Sequence, residues 1–172
     1  MSINTTLEHK FMKAMTFVHE CGHAIIATHY KVPILKIDME IDNNKYPGVH
    51  IDPVAFSSLP TQSKLDFYMA GFAATKIYTN LVSLSKDHFA RDIAMKIFND
   101  HIDSHIQSDK ESALELLKFP FLKDFRINKS KIRAVELLSK YHQCMDPLLK
   151  SLIDGNGILD GQNAKLIITN QN

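Results

Sequence analysis

The sequence predicts a mainly α fold with a small β-sheet (α+β), and three observations support this. Apolar residues recur at helical spacing through most of the 172 residues. Residues 34–41 instead alternate apolar and polar side chains with a period of two, which predicts a half-buried strand. No repeat, low-complexity tract or internal linker interrupts the chain, so we expect residues 1–172 to form one domain.

The first half of the chain predicts a long helix followed by a β-hairpin. The helix is expected to run from Thr5 or Thr6, either of which can cap it, to about Lys31. The strand of residues 34–41 follows, and after a turn-rich stretch residues 49–51 predict a short returning strand. An edge strand of this kind can pair with an extended peptide, but a hairpin that only covers the core fits the pattern equally well.

The remainder of the chain predicts further amphipathic helices. Residues 80–84 are predicted to form a loop between two of them. The predicted helices are 61–79, 86–106, a short helix opened by the capping-box pattern Ser108-Asp109-Lys110-Glu111, 129–141, a helix that starts at Asp146-Pro147 and continues through Ile153, and a short helix ending near Ile168.

Composition argues against several classes of protein. The net charge is +1, so no general attraction to nucleic acid or to an anionic membrane is implied. No apolar run approaches the roughly 20 residues that span a bilayer, and the N-terminus lacks the pattern of a signal peptide. The two cysteines, Cys21 and Cys144, do not suggest a disulfide framework. We therefore expect a cytoplasmic protein.

The motif that carries chemistry is His19-Glu20-Cys21-Gly22-His23, which has the form H-E-x-x-H. One helical turn separates the two histidines, so both imidazoles leave the same face of the helix and can hold one zinc ion. Glu20 points about 100° away, from where its carboxylate can reach a water on the metal and act as general base. Cys21 faces away from the histidines and is interpreted as a small core residue.

The surroundings of the motif favour a functional reading over a chance match. Apolar side chains such as Val18 and Ile25 flank it, and Gly22 indicates that another backbone or a substrate passes close by. The simpler alternative is a buried helix with two hydrogen-bonded histidines and a buried glutamate. That alternative leaves the charge of Glu20 without a metal or a partner, which is energetically costly.

A catalytic zinc ion usually has three protein ligands and a water, so a third ligand is needed. Asp87 is the predicted third ligand, because it lies in the first turn of the predicted helix 86–106 on its apolar side, and Asp92 is the competitor. A carboxylate stabilised only by the helix N-terminus is the other explanation of Asp87. His101 and His105 lie on a polar face and are interpreted as exposed, with at most a weak adventitious metal site.

The chain resembles the protease domain of FtsH-type zinc metalloproteases, the membrane-anchored AAA+ proteases. Four blocks in the family's order carry the resemblance: residues 19–27, which are similar to its HEAGHA block, the strand 34–41 with Gly48-Val49, Gly71-Phe72-Ala73-Ala74, and residues 134–161 with the closing Leu159-Asp160-Gly161.

The resemblance implies zinc bound by His19, His23 and an aspartate from a later helix, with Glu20 as general base. The family's aspartate follows a Ser-Asn pair, which Ser85-Lys86-Asp87 fits loosely, whereas Asp92 fits the spacing from Gly71 better.

The chain departs from the family in two respects. Thr75-Lys76 replaces two glutamates, and no G-x-x-x-x-G-K-[ST] motif is present. We therefore expect one zinc metallopeptidase-like domain, with one Zn²⁺ per chain and ATP-independent hydrolysis of peptides or of unfolded or flexible proteins. The alternatives are a non-catalytic binding protein that keeps the peptidase fold and its zinc, and a structural zinc protein with a fourth protein ligand. The oligomeric state and the need for a separate ATPase chain stay open.

Overall fold

The computed structural model describes residues 3–39, 48–83, 107–117 and 120–170. These residues are mostly helical and form one small antiparallel sheet, which confirms the predicted fold class. In chain order the elements are α1 (Ile3–His29), β1 (Ile34–Asp38), β2 (Gly48–Ile51), α2 (Pro53–Ser58), α3 (Thr61–Tyr68), α4 (Ala70–Ser83), α5 (described over 107–115), a 3₁₀ turn (Pro120–Leu122), α6 (Lys123–Lys140), α7 (His142–Asp154), β3 (Ile158–Asp160) and α8 (Gly161–Thr169).

Helix α1 is the central element, with contacts to α3, α4, α6, α7, α8 and the sheet. Its apolar face supplies much of the core, and Met15, Val18, Ile25 and Ile26 are fully buried. The helix ends at His29, slightly earlier than predicted, because Lys31 adopts a left-handed conformation with φ of 60° that terminates the helical hydrogen bonding.

Helices α1 and α4 approach each other more closely than ordinary side chains allow. A Cβ atom added at Gly22 would lie 2.5 Å from the carbonyl oxygen of Ala70 and 2.7 Å from the Cβ of Ala74. Both distances are shorter than van der Waals contact, so only glycine fits at this crossing. This contact fixes the face of α1 that carries the two histidines of the motif relative to the start of α4.

The sheet has the strand order β2-β1-β3, with both pairs antiparallel. Ile37 in the central strand is fully buried and lies opposite Val49 on one side and Leu159 on the other. The returning strand was predicted correctly. Strand β3 was not predicted, because three residues are too short for an alternating pattern to be recognised. Among the described strands, β2 pairs with β1 alone.

The helix predicted over 61–79 is wrong as a continuous element, because Met69 separates α3 from α4. No glycine or proline marks this break in the sequence, and it coincides with tertiary contacts at the end of α3. Asp66 is fully buried, accepts a hydrogen bond from the Tyr30 hydroxyl at 2.7 Å and pairs with Arg133 at 3.0 Å. These contacts hold the end of α3 between α1 and α6.

Several helix boundaries also differ from prediction. The predicted loop is helical up to Ser83, and α5 is already helical before Ser108, which therefore does not cap it. Helix α7 begins at His142 and includes Pro147. Proline has no N–H, so one backbone hydrogen bond of the helix is missing at this position. The neighbouring Leu148 is fully buried. The predicted helix 86–106 lies outside the described residues. No helix within the described ranges is long and apolar enough to cross a bilayer.

We expect Gly22→Ala to destabilise the protein, although alanine favours helix formation by about 1 kcal/mol. The added methyl collides with the Ala70 carbonyl, and overpacking of this kind costs about 1–3 kcal/mol. Gly48→Ala is the control, because its Cβ would meet only a Glu20 oxygen at an ordinary 3.8 Å. Chemical denaturation measures both variants, and equal unfolding free energies would contradict the close helix crossing.

Candidate metal centre

Helix α1 brings the side chains of the H-E-x-x-H motif into one buried pocket. His19, Glu20 and His23 are 3%, 7% and 4% exposed. The Nε2 atoms of the two histidines lie 3.1 Å apart, and the rings meet edge to face with centroids 4.8 Å apart. The four-residue spacing therefore places the two Nε2 atoms side by side, as the sequence predicts.

Asp109 in α5 supplies a carboxylate at the same point. Its Oδ2 lies 3.0 Å from Nε2 of His19 and 3.1 Å from Nε2 of His23. The side chain of Asp109 is 19% exposed, so the centre is more open on this side than at the histidines. His19, His23 and Asp109 are thus grouped closely enough to hold one metal ion.

The donor set and its dimensions fit zinc. With bond lengths of about 2.0–2.1 Å, two ligands in a tetrahedral zinc site are separated by about 3.3 Å. The three separations between Nε2 of His19, Nε2 of His23 and Oδ2 of Asp109 are 3.1, 3.0 and 3.1 Å. Two imidazole nitrogens and one carboxylate oxygen are also a ligand set found in catalytic zinc sites, which keep a fourth position open.

A carbonyl group orients His23 and fixes its tautomer. Nδ1 of His23 lies 2.9 Å from the carbonyl oxygen of Phe67. A carbonyl oxygen can only accept, so Nδ1 carries the proton and donates it, and Nε2 of the neutral ring keeps its lone pair for a metal. Phe67 is in the last turn of α3, where its carbonyl accepts hydrogen bonds from the backbone N–H of Met69 at the C-cap and from His23. The end of α3 at Met69 therefore contributes to the orientation of His23.

A glycine positions His19. A Cβ atom added at Gly71 would lie 2.2 Å from Cε1 of His19 and 2.3 Å from its Nε2. The imidazole therefore rests directly on the backbone of α4, and any other residue at 71 would displace it. Gly22 and Gly71 both belong to the contact between α1 and α4, so one packing interface sets both the helix separation and the ring position.

The three side chains together create a strong preference for positive charge. Burial raises the pKa of Asp109, but the two histidines outweigh burial and hold this pKa well below its usual range. Burial lowers the pKa of His23, yet the Asp109 carboxylate, with smaller help from Glu20 and the Phe67 carbonyl, raises it to about 9. Either a proton or a metal cation can supply the positive charge that these three side chains favour.

Glu20 points toward the sheet and does not join the group of three. Its Oε2 accepts a hydrogen bond at 3.1 Å from the backbone N–H of Val49 in β2. Val49 lies opposite Ile37, but its N–H is directed at Glu20, away from β1. The buried carboxylate therefore lies between the histidine-bearing helix and the side of β2 that pairs with no other described strand.

Of the predicted site residues, the structure brings His19 and His23 together, and it directs the buried carboxylate of Glu20 to the Val49 N–H. Asp87 and Asp92 lie outside the described residues, so their role as third ligand stays a prediction. Asp109 was missed, because it was interpreted as part of a capping box. A signal was present: Asp109 shares a face of α5 with Ala113, which is fully buried.

The two cysteines take no part in this centre. Cys21 and Cys144 are both buried and unpaired. Burial, with a smaller contribution from the charge of Glu20, raises the pKa of the Cys21 thiol far above its usual value. The interpretation of Cys21 as a core residue agrees with its complete burial.

Comparisons with known proteins found no matching protein-family model and no matching curated protein. The resemblance to FtsH-type protease domains therefore rests on the sequence blocks alone, and the chemistry of this chain has to be argued from its own centre.

We expect Asp109→Asn to weaken zinc binding by about 100-fold or more, since it removes a charged ligand. Competition with a chromophoric chelator measures the affinity. Asp124→Asn is the matched control, because Asp124 is exposed on α6. Asp87→Asn and Asp92→Asn are measured in the same series. A loss confined to Asp87→Asn or Asp92→Asn, with Asp109→Asn unchanged, would contradict the centre described by the structure.

We expect Gly71→Ala to lower zinc affinity while the protein stays folded, because the added methyl displaces the His19 ring. The effect should be about 10–100-fold, the range for residues that orient a ligand. Near-ultraviolet circular dichroism monitors folding, and chelator competition gives the affinity, with Gly48→Ala as control. Unchanged affinity in folded Gly71→Ala protein would show that the contact does not position His19.

Proposed function

We propose that this protein is a zinc metallopeptidase that hydrolyses peptide bonds in peptides and in unfolded or flexible protein segments. The observation that carries the proposal is the meeting of His19, His23 and Asp109 within 3.1 Å beside the buried carboxylate of Glu20. In a structural zinc site Glu20 would serve only to accept a hydrogen bond from the Val49 N–H, whereas a peptidase requires a carboxylate beside the metal as general base.

His19, His23 and Asp109 would hold the metal, and Glu20 would move protons. When bound, zinc supplies Lewis acidity that lowers the pKa of a coordinated water toward about 7. Glu20 accepts the proton of the attacking water and passes it to the leaving amine. Burial of Glu20 excludes bulk water around this transfer, and the Val49 N–H keeps its carboxylate in a fixed orientation before substrate arrives.

The edge of β2 opposite β1, which pairs with no other described strand, is the proposed place for the substrate backbone. Val49 directs its N–H away from β1, so an extended peptide can add to this edge as a further strand. Such a peptide would compete with Glu20 for the Val49 N–H and release the carboxylate next to the bond to be hydrolysed. Only an extended segment can bind in this way, so folded proteins are poor substrates.

The expected energy requirement, cellular compartment and binding partners are part of the same proposal. Peptide hydrolysis itself consumes no nucleotide, so we expect ATP-independent turnover of unfolded substrates, and a separate ATPase chain would matter only for folded ones. The buried, unpaired cysteines support a reducing compartment such as the cytoplasm. Peptides and proteins are the expected partners, and nucleic acid is not.

Glu20→Gln should abolish cleavage of a reduced, unfolded model protein while zinc stays bound. Glutamine keeps the size and can still accept the Val49 hydrogen bond, but it cannot take a proton from water. Losing a general base lowers the rate by about 10²–10⁴-fold. Gel-based cleavage assays and metal analysis of the same samples measure both quantities.

Asp124→Asn is the control, because Asp124 is an exposed carboxylate on α6 that does not line the groove between α4 and α6. Equal turnover by wild type and Glu20→Gln would exclude the assigned mechanism. Zinc binding with no cleavage by either protein would favour the alternative, a non-catalytic binding protein that retains the metal.

A further inference from the structure

A groove of about 460 Å³ lies between α4 and α6. Its floor is apolar and includes Phe72 and Ile132, and the side chain of Ile132 is 61% exposed. Lys76 from α4 and Lys131 from α6 line it as well. The groove therefore combines an apolar surface with two ammonium groups from different helices.

The two lysines converge on one aromatic ring. Nζ of Lys131 lies 4.6 Å from the centroid of Phe72, and Nζ of Lys76 lies 5.9 Å from it. Lys110 of α5 adds a third positive charge nearby: burial lowers the pKa of Lys131, and Lys110 and then Lys76 lower it further. Three helices thus bring cations together although the whole chain has a net charge of only +1.

No carboxylate of the described residues neutralises this cluster. Glu136 also lines the groove, but it forms no ion pair with Lys76, Lys110 or Lys131 within the part of the chain that the structure describes. Cations held together in this way repel one another, and a carboxylate placed among them would relieve the repulsion. The ring of Phe72 and the stem of Ile132 would cover the methylene groups of the side chain that carries it.

The groove adjoins the metal centre through two helices. Phe72 follows Gly71, whose backbone supports the His19 ring, and Lys110 follows Asp109, which faces both histidines. Because an extended peptide advances about 3.3 Å per residue, a side chain a few positions from a bond held at the centre can extend toward the groove.

We propose that the groove between α4 and α6 binds an Asp or Glu side chain of the peptide substrate, held by Lys76 and Lys131, and so gives the enzyme a preference for acidic segments. The location of this side chain relative to the hydrolysed bond rests on the proposed peptidase function. Binding of acidic peptides by the groove does not depend on turnover.

The first test maps cleavage sites by mass spectrometry after digestion of reduced, unfolded model proteins. Asp and Glu should be enriched about fivefold at one fixed position relative to the cleaved bond, since a surface charge pair has roughly that effect. Lys76→Gln/Lys131→Gln protein should cleave the same proteins without the enrichment. An equal distribution of cleavage sites in the two proteins would overturn the proposal.

A charge exchange separates recognition from general damage to the fold. In Lys76→Glu/Lys131→Glu protein the same position should become enriched in Lys and Arg, a gain that misfolding cannot produce. Lys129→Gln is the matched control, because Lys129 lies on α6 two positions before Lys131 and therefore about 200° around the helix. Loss of the acidic preference in this control would overturn the assignment to the groove.

The second test needs no turnover. Zinc-loaded Glu20→Gln protein is titrated with a fluorescein-labelled flexible peptide that carries two Glu residues, and with a matched peptide that carries Gln instead, by fluorescence anisotropy. The Glu peptide should bind about fivefold more tightly, and more so at low salt. Adding Lys76→Gln/Lys131→Gln should remove the difference. Equal affinities in the lysine-containing protein would overturn the proposal even if the enzyme cleaves peptides, and a difference would support the groove even if it does not.

Discussion

The close packing of α1 against α4 is the contact on which the candidate site depends. Gly22 lets the start of α4 approach α1, and Gly71 lets the backbone of α4 support the His19 ring. At the break before α4, the Phe67 carbonyl accepts a hydrogen bond from His23. One helix interface thus sets the position of one imidazole and the tautomer of the other, so a perturbation of packing here becomes a perturbation of ligand geometry.

Much of the fold and the H-E-x-x-H part of the site were predictable from the sequence, because they depend on local spacing. Helical periodicity identifies α1, and the four-residue spacing places Nε2 of His19 and His23 side by side. The third partner could not be located in that way. Asp109 reaches the histidines because tertiary packing turns the apolar face of α5 toward α1, and its position beside Ser108 and Glu111 resembles an ordinary helix start. The break at Met69 was missed for the same reason, since buried contacts of Asp66 and Phe67 accompany it and no glycine or proline marks it.

Charges of opposite sign lie close together around the proposed reaction site. Asp109 and Glu20 give the metal centre and its surroundings a negative charge that favours a metal cation. Lys76, Lys110 and Lys131 give the groove between α4 and α6 a positive charge. The proposed peptide would extend from the edge of β2 past the metal centre to this groove. In this account the backbone of the substrate is recognised by the sheet edge, its reactive carbonyl by the metal, and one acidic side chain by the groove.

The most direct test of the central claim is X-ray absorption spectroscopy at the zinc edge of the zinc-loaded protein. We predict a first shell of four nitrogen or oxygen atoms at about 2.0–2.1 Å, with outer-shell scattering from two imidazole rings and no sulfur. Addition of a hydroxamate should replace the water oxygen and alter that shell. A sulfur shell at about 2.3 Å, or a first shell unchanged by the hydroxamate, would contradict an open centre built from His19, His23 and Asp109.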